Sequence, residues 1–123
     1  MEIVNFLEVE IKTSKAIKRL YKKTTKEVLW LYILRLLQEG PRYGYELARE
    51  IKERFDFSPA RVSSYVILYK LQRDGLVLSK IKGSFTGRPD RKYYEITEKG
   101  EEQMKLAKDY LKELMQKVFD KTG

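Results

Sequence analysis

The chain contains no cysteine and no histidine among its 123 residues. Their absence excludes disulfide frameworks, thiol nucleophiles, histidine-dependent catalytic triads and zinc sites with nitrogen or sulfur ligands. The carboxylates are scattered at spacings typical of solvated helix faces, and no Gly-x-x-x-x-Gly-Lys phosphate loop occurs. We therefore expect no catalysis, no metal site and no cofactor.

Long apolar runs are also missing. The longest, residues 28–37, is interrupted by Arg35 and is shorter than the ~20 residues that span a membrane. The first residues include Glu2, Glu8 and Glu10, which is unlike a secretory signal. We expect a cytoplasmic protein without a membrane partner.

The charge that is present is unevenly distributed. The net charge is +8, from 26 basic and 18 acidic residues. Residues 12–26 carry seven basic side chains and no acid, and residues 57–92 carry eight against two acids. These segments hold +13, so the remainder carries −5. Such segregation attracts polyanions, either nucleic acid or an anionic membrane, although a single basic run is more often a solvated face.

The amino-terminal third is expected to be mostly helical. Residues 1–12 fit a strand or a helix equally, and residues 14–23 form a basic amphipathic pattern. Thr24 and Glu27 match a capping box, which predicts that a new helix begins there. The apolar stripe predicted for that helix is Trp30, Ile33, Leu34 and Leu37.

Two further helices are predicted in the middle of the chain. The first covers about residues 43–54. The second takes Ser58 as its N-cap and Pro59 as its first residue, and it continues to Asp74 before Gly75 stops it.

The last part of the chain reads as a hairpin followed by a long helix. Residues 76–82 and 91–96 are predicted strands around a basic turn over residues 83–90. Thr97 can cap a helix that reaches about Phe119.

This order of elements is typical of a winged helix-turn-helix. In that fold the second helix enters the major groove, and the hairpin contacts neighbouring phosphates. The sequence therefore predicts a mainly α (α+β) chain with a two-stranded wing and a long carboxy-terminal helix. The expected domains are a basic arm over residues 1–23, a DNA-binding unit over 24–97 and a dimerisation helix over 98–123.

The helix over residues 59–74 is the candidate recognition helix. Arg61 can donate two hydrogen bonds to a guanine, while Lys70 lies deeper and suits the DNA backbone. A merely solvated outer face stays the alternative. The inward stripe is predicted as Ala60, Ser64, Ile67, Leu68 and Leu71, and the candidate DNA contacts are Ser58, Arg61, Ser63, Tyr65, Tyr69 and Lys70.

The hairpin supplies the second set of candidate contacts. Its glycines allow close backbone approach, and Arg88 can enter a minor groove or clamp a phosphate. An ordinary charged surface hairpin is the alternative. The candidate residues are Lys80, Lys82, Ser84, Arg88, Arg91 and Lys92.

Two tyrosines open the helix that precedes the recognition helix. Tyr43 is a candidate DNA contact, because a helix N-terminus suits a phosphate; a core position is equally compatible. For Tyr45 we expect a core position, with Gly44 permitting close packing.

The carboxy-terminal helix carries a seam with 3-4 spacing, which is typical of helix pairing. We expect it to form a homodimer interface; packing against its own domain is the alternative. The seam consists of Met104, Ala107, Leu111, Leu114 and Val118.

Together these features resemble the PadR family of winged-helix transcriptional regulators over roughly residues 30–119. The resemblance implies a homodimer held by the carboxy-terminal helix, a pseudo-palindromic operator and usually repression; it names no effector. Ser64, Val66 and Asp90 depart from the family pattern. The matching residues are Gly40-Pro41, Gly44-Tyr45-Glu46-Leu47, Tyr65, Leu68, Leu71, Asp74-Gly75-Leu76-Val77, Gly87-Arg88-Pro89, Arg91-Lys92-Tyr93-Tyr94, Ile96-Thr97 and Gly100.

The expected function is sequence-specific binding of double-stranded DNA by a transcriptional regulator. Two alternatives share the fold. An architectural protein would bind DNA with little preference for sequence, and a winged-helix interaction module would bind another protein. The basic face argues against the interaction module.

Overall fold

The computed structural model describes residues 14–82 and 91–121. Within these ranges the chain is mainly helical with a small antiparallel sheet, which confirms the predicted winged fold class. No helix in them is long and apolar enough to cross a membrane. The elements are α1 (Lys15–Thr24), a 3₁₀ turn (Lys26–Val28), α2 (Leu29–Gln38), β1 (Arg42–Tyr43), α3 (Gly44–Phe55), α4 (Arg61–Arg73), β2 (Val77–Lys82), β3 (Arg91–Ile96) and α5 (Glu98–Phe119).

The sheet has the strand order β1-β3-β2. Strands β2 and β3 form the predicted wing, and their register places Lys82 opposite Arg91 at its far end. Strand β1 pairs with the other edge of β3 and places Tyr43 opposite Tyr93. This third strand was not predicted, because a strand of two residues has no alternation to detect.

The hydrophobic core is built around α2. Trp30, which was predicted on the inward stripe, is only half-buried. The buried residues of α2 are Leu29, Ile33, Leu34, Leu36 and Leu37. The core is completed by Leu47, Ile51, Phe57, Leu68, Leu71, Val77 and Tyr94 from α3, the following connection, α4 and the sheet.

The capping box predicted at Thr24 is wrong. Helix α1 ends at Thr24, and α2 begins at Leu29 after the 3₁₀ turn. The Thr24 hydroxyl donates backward to the Leu20 carbonyl at 2.8 Å. The Glu27 carboxylate pairs with the Lys23 ammonium at 3.3 Å. Both side chains that matched the pattern are thus paired with residues of α1.

The predicted start of the recognition helix is also wrong. Helix α4 begins at Arg61, and its N-cap is Ala60, which makes no side-chain hydrogen bond. Ser58 and Ala60 are exposed, whereas Phe57 and Pro59 are buried. Because alternate residues of this extended connection pack inward, the connection runs on past Ser58 and the helix begins later than the capping pattern indicates.

The start of α5 is locked to the turn that follows α4. Thr97 is the N-cap as predicted: its hydroxyl oxygen accepts from the Gly100 N–H at 3.1 Å, and its hydroxyl donates to the Gly75 carbonyl at 2.7 Å. A β-carbon at Gly100 would lie 2.4 Å from the Leu76 carbonyl oxygen. This close approach explains the glycine inside the first turn of the helix.

Candidate nucleic-acid interface

Helix α4 presents a polar and aromatic face to solvent. Ser64, Leu68 and Leu71 are buried on its inner side. The Ser64 hydroxyl donates to the Ala60 carbonyl at 3.4 Å, so this polar group is satisfied within the helix. No acidic residue occurs between residues 57 and 73. The predicted contacts Arg61, Ser63, Tyr65, Tyr69 and Lys70 are all exposed on this helix.

The Tyr65 side chain connects α4 with the start of α3. A β-carbon at Gly44 would lie 2.6 Å from the Cε1 atom of the Tyr65 ring. The ring therefore occupies the space that a larger residue at position 44 would need. Tyr65 remains 42% exposed, so it packs against α3 while part of its surface stays available to a ligand.

The outer face of the wing collects aromatic and basic side chains. Residues directly opposite each other on paired strands share a face of the sheet. Tyr43 lies opposite Tyr93, which in turn lies opposite Lys80, so the three form a row across all the strands. Lys82 and Arg91 form the next row on the same face.

Tyr43 lies at the centre of this face. Its ring stacks on Tyr45 with centroids 5.8 Å apart, and it makes a T-shaped contact with Tyr93 at a centroid distance of 6.3 Å. The Arg91 guanidinium lies 5.9 Å from its centroid. The expected core position of Tyr45 is wrong: that side chain is 49% exposed, because Leu47 and Ile51 supply the buried face of α3 and its own ring stacks outward on Tyr43.

Lys80 is engaged in an ion pair rather than free for DNA. Its ammonium lies 3.1 Å from the Glu95 carboxylate on the neighbouring strand. The hydrogen bond from Lys80 to Glu95 raises the pKa of the lysine above its usual value. A DNA phosphate would have to compete with this carboxylate, so Lys80 is a weaker candidate contact than the sequence alone indicates.

Several predicted cations have no acidic partner in the described part of the chain. Arg61 and Lys70 on α4 and Lys82 and Lys92 on the wing are exposed and form no ion pair with another described residue. Free cations of this kind can neutralise phosphates. Residues 14–82 and 91–121 also contain no acidic cluster that could hold a metal ion.

The remaining predicted contacts are dispersed. Ser58 is exposed in the connection before α4. Lys92 lies opposite Ile81, on the other face of the wing from Arg91. Ser84 and Arg88 lie outside the described residues, so their predicted roles stay predictions.

Sequence reasoning missed two aliphatic residues on the outer face of α4. Val62 is 74% exposed and Val66 is 46% exposed. Both lie off the Ser64, Leu68 and Leu71 stripe by helical periodicity, and that spacing could have identified them. A branched apolar side chain on a recognition helix can contact a thymine methyl group.

The predicted seam of α5 is largely uncovered within the chain. Met104 and Ala107 are half-buried, whereas Leu111, Leu114 and Val118 are exposed. Grooves lie beside the helix in the described part of the chain. One, of 640 Å³, runs between α5 and the residues Leu31, Tyr32 and Phe55. Another, of 540 Å³, includes Val28, Trp30, Leu106 and Tyr110.

Comparison with known proteins identifies relatives of the chain. The transcriptional regulator PadR-like family matches residues 33–106. A curated uncharacterized protein from Lysinibacillus sphaericus is 35% identical over 85 residues, which are 68% of this chain and 71% of that protein.

Solved structures of PadR-like regulators are also similar to this chain. A PadR-like transcriptional regulator from Bacillus cereus is 35% identical, with a TM-score of 0.62 over 76% of this chain and 89% of that one. Bacillus subtilis PadR in complex with operator DNA is 28% identical, with a TM-score of 0.59 over 68% of this chain and 46% of that one. Because the family match spans more than half of the residues, the chain belongs to the PadR-like family of transcriptional regulators, which are not enzymes.

Proposed function

We propose that this regulator is a sequence-specific repressor, which binds a pseudo-palindromic operator as a homodimer through α4 and the wing. The observation that carries the proposal is the acid-free outer face of α4, where Arg61, Ser63 and Lys70 are exposed. Side chains of these types donate to base edges and phosphates. The Bacillus subtilis relative solved with operator DNA supports a DNA partner.

The roles on α4 follow from position along the helix. Arg61 is the first helical residue, at the end that approaches the base edges in a helix-turn-helix. Its guanidinium suits the O6 and N7 atoms of guanine, and the neighbouring Val62 suits a thymine methyl group. Tyr69 and Lys70 lie two turns further along and reach the DNA backbone.

The wing supplies phosphate contacts beside the groove. Lys82 and Arg91 are paired at its far end and point to one face. Both are cations without an acidic partner among the described residues. Neutralising phosphates there would add affinity on any sequence and make binding depend on salt. Ser84 and Arg88, which lie between the two strands in the sequence, are proposed to join them.

The homodimer is supported by the uncovered seam of α5. Leu111 and Leu114 are 42% and 41% exposed, and Val118 is 62% exposed. Exposed apolar side chains that recur at this spacing along one helix are typical of an interaction site. The copy of the same helix is the partner whose 3-4 pattern matches the seam, and the grooves beside α5 give its side chains a place to insert.

Dimerisation can set the spacing of the two recognition helices. The Lys99 ammonium donates to the Asp74 carbonyl at 2.9 Å, and Thr97 is bonded to Gly75, so α5 begins against the end of α4. We therefore assign DNA binding to residues 24–97 and dimerisation to residues 98–123, with residues 1–23 as a basic arm. A dimer on its operator would repress by blocking access to that DNA.

The proposal is tested by selecting bound fragments from the genome of the host. Affinity for a selected fragment and for its scrambled counterpart is then compared at one fixed salt concentration. We expect the selected fragment to bind at least about a thousandfold more tightly. Equal affinity for the two would indicate an architectural protein instead, and no binding to either would indicate a protein-interaction module.

Substitution of Arg61 tests how the sequence is read. Arg61→Ala should relax preference at one position of each half-site by about 1–3 kcal/mol, because one bidentate contact is lost. Lys70→Ala is the matched control on the same helix. It should weaken binding to all DNA sequences alike and lower the slope of log affinity against log salt. An unchanged base preference for Arg61→Ala would remove Arg61 from the set of base contacts.

A further inference from the structure

The Arg91 side chain lies against the ring of Tyr43. The Arg91 guanidinium is 5.9 Å from the centroid of that ring, within the range of a cation–π contact. Arg91 is exposed and pairs with no carboxylate in the described part of the chain. Within the described residues, the tyrosine ring is thus a contact that can hold this charged group in the absence of a ligand.

The Tyr43 ring is itself held from several sides. The residue is half-buried and paired with Tyr93 across the β1–β3 ladder. Tyr45 stacks against the ring with an interplanar angle of 14°, and Tyr93 forms a T-shaped contact with it. The backbone N–H of Tyr43 donates to the Glu46 carboxylate at 3.3 Å. The Arg91 guanidinium therefore contacts a ring that several neighbours hold in place, at the junction of the wing and α3.

We propose that Tyr43 is a positioning residue that holds the Arg91 guanidinium ready for a DNA phosphate. The inference rests on the proposed DNA-binding function and deepens it. A free arginine loses side-chain entropy when it binds, and a guanidinium already held in place loses less. The ring is thus the part of Tyr43 that matters, and its hydroxyl is not required as a direct phosphate donor.

This role differs from the direct DNA contact that the sequence suggested for Tyr43. A direct contact needs the hydroxyl, so Tyr43→Phe would abolish it. A support needs only the aromatic face, which Phe retains. Tyr43→Leu removes the face while keeping an apolar side chain of moderate size. The pair of substitutions therefore separates the two roles.

The experiment is a double-mutant cycle on operator DNA, with Tyr43→Leu and Arg91→Ala. Tyr43→Leu alone should weaken binding roughly two- to fivefold, and it should cause no further loss when Arg91 is already alanine. Tyr43→Phe should bind as the unsubstituted protein does. Arg91→Ala should lower the slope of log affinity against log salt by about 0.9, the value for one phosphate.

Lys82→Ala is the matched control cation. Lys82 lies opposite Arg91 on the same face, but the only described cation on the Tyr43 ring is Arg91. Tyr43→Leu and Lys82→Ala should therefore be additive. Additivity of Tyr43→Leu with Arg91→Ala, or a loss in Tyr43→Phe equal to that in Tyr43→Leu, would overturn the positioning role.

An NMR measurement tests the positioning role independently of binding, and the Arg91→Ala variant separates failure of this role from failure of the proposed wing contact. In the free protein, the Arg91 Cδ protons should be shifted upfield in NMR spectra by the Tyr43 ring current; random-coil shifts would contradict the inference even if Tyr43→Leu fails to fold. If Arg91→Ala leaves DNA affinity unchanged, the proposed wing contact fails. If Arg91→Ala weakens binding but is additive with Tyr43→Leu, only the positioning role fails.

Discussion

Helices α2 and α5 carry similar apolar stripes but meet different surroundings. In α2, Ile33 and Leu34 are completely buried in the core. In α5, Leu111 and Leu114 are about two-fifths exposed, at 42% and 41%. The periodicity of a sequence therefore indicates which face of a helix is apolar, but not whether that face is covered by its own chain or by another molecule.

The two helices meet at the beginning of α5. The Gln38 amide donates to the Glu101 carboxylate at 2.8 Å, and Met104 packs against the core. A helix of 22 residues is about 33 Å long. Every residue from Lys108 onward in α5 is exposed. The first turns of α5 thus belong to the domain, and the remainder is a surface that we assign to the partner copy.

The largest effect that distinguishes the two helices is expected from shortening a core side chain of α2. Leu34→Ala should lower the free energy of unfolding by about 2–5 kcal/mol, because it leaves a cavity in the core around α2. Urea unfolding followed by circular dichroism measures this loss, which should not depend on protein concentration. Leu114→Ala is the control with the same change of side chain. Its effect on Tm should grow with protein concentration, since it weakens association; a concentration-independent loss as large as that of Leu34→Ala would contradict the comparison.

A charged residue placed in the seam tests directly whether the seam is the homodimer interface. Leu111→Asp should raise the dimer dissociation constant at least about a hundredfold, because it places an unpaired carboxylate in an apolar interface. Light scattering should then detect monomers. Lys105→Asp introduces the same carboxylate at an exposed position outside the seam and should remain dimeric. A dimeric Leu111→Asp protein would refute the seam.

The anchored beginning of α5 should respond differently from its exposed end. Gly100→Ala should destabilise the fold by about 1–3 kcal/mol, because the new β-carbon would press on the Leu76 carbonyl. Thermal unfolding measures this effect. Glu102→Ala, on the exposed side of the same turn, should change stability by less than about 0.5 kcal/mol. Equal losses would mean that the close contact at Gly100 is relieved without cost.

The smallest expected effect is a decline of folding stability at alkaline pH, caused by the burial of Tyr94 in the core. Burial, and to a lesser degree the neighbouring Tyr65, raises the pKa of Tyr94 above the ordinary tyrosine value near 10. Above that pH the unfolded chain loses this proton before the folded chain does, so stability falls as pH rises toward the folded pKa. Burial also raises the pKa of Tyr32, so part of the decline remains when Tyr94 is replaced.

Urea unfolding at a series of alkaline pH values tests this expectation. Tyr94→Phe should make the decline shallower. Tyr110→Phe, which removes a hydroxyl from an exposed ring on α5, controls for loss of the group itself. An identical decline in Tyr94→Phe and the unsubstituted protein would show that the burial of Tyr94 is not linked to its ionisation.

Local signals predicted much of the fold. Strand β3 was predicted with the bounds observed, and Thr97 and Phe119 mark the beginning and end of α5 as expected. The bounds of these elements depend mainly on residues that are close in the sequence. The starts of α2 and α4 were misplaced, because the side chains at Thr24 and Ser58 matched capping patterns while hydrogen bonds within α1 and burial of Pro59 decided the boundaries.

The candidate site was predictable to a similar extent. The exposure of Ser63 and Lys70 follows from the period of an α-helix. The ion pair of Lys80 with Glu95 and the outward stacking of Tyr45 were missed. Both depend on which strands and helices become neighbours, and a single sequence does not contain that information in local form.

The most direct test of the account is a footprint of the protein on a selected genomic fragment, combined with the mass of the complex. The account predicts a dimer that protects two symmetric half-sites, with centres about 10–10.5 base pairs or a multiple apart. Leu111→Asp should abolish both half-sites together. A monomer that protects a single half-site, or uniform protection without half-sites, would contradict the account.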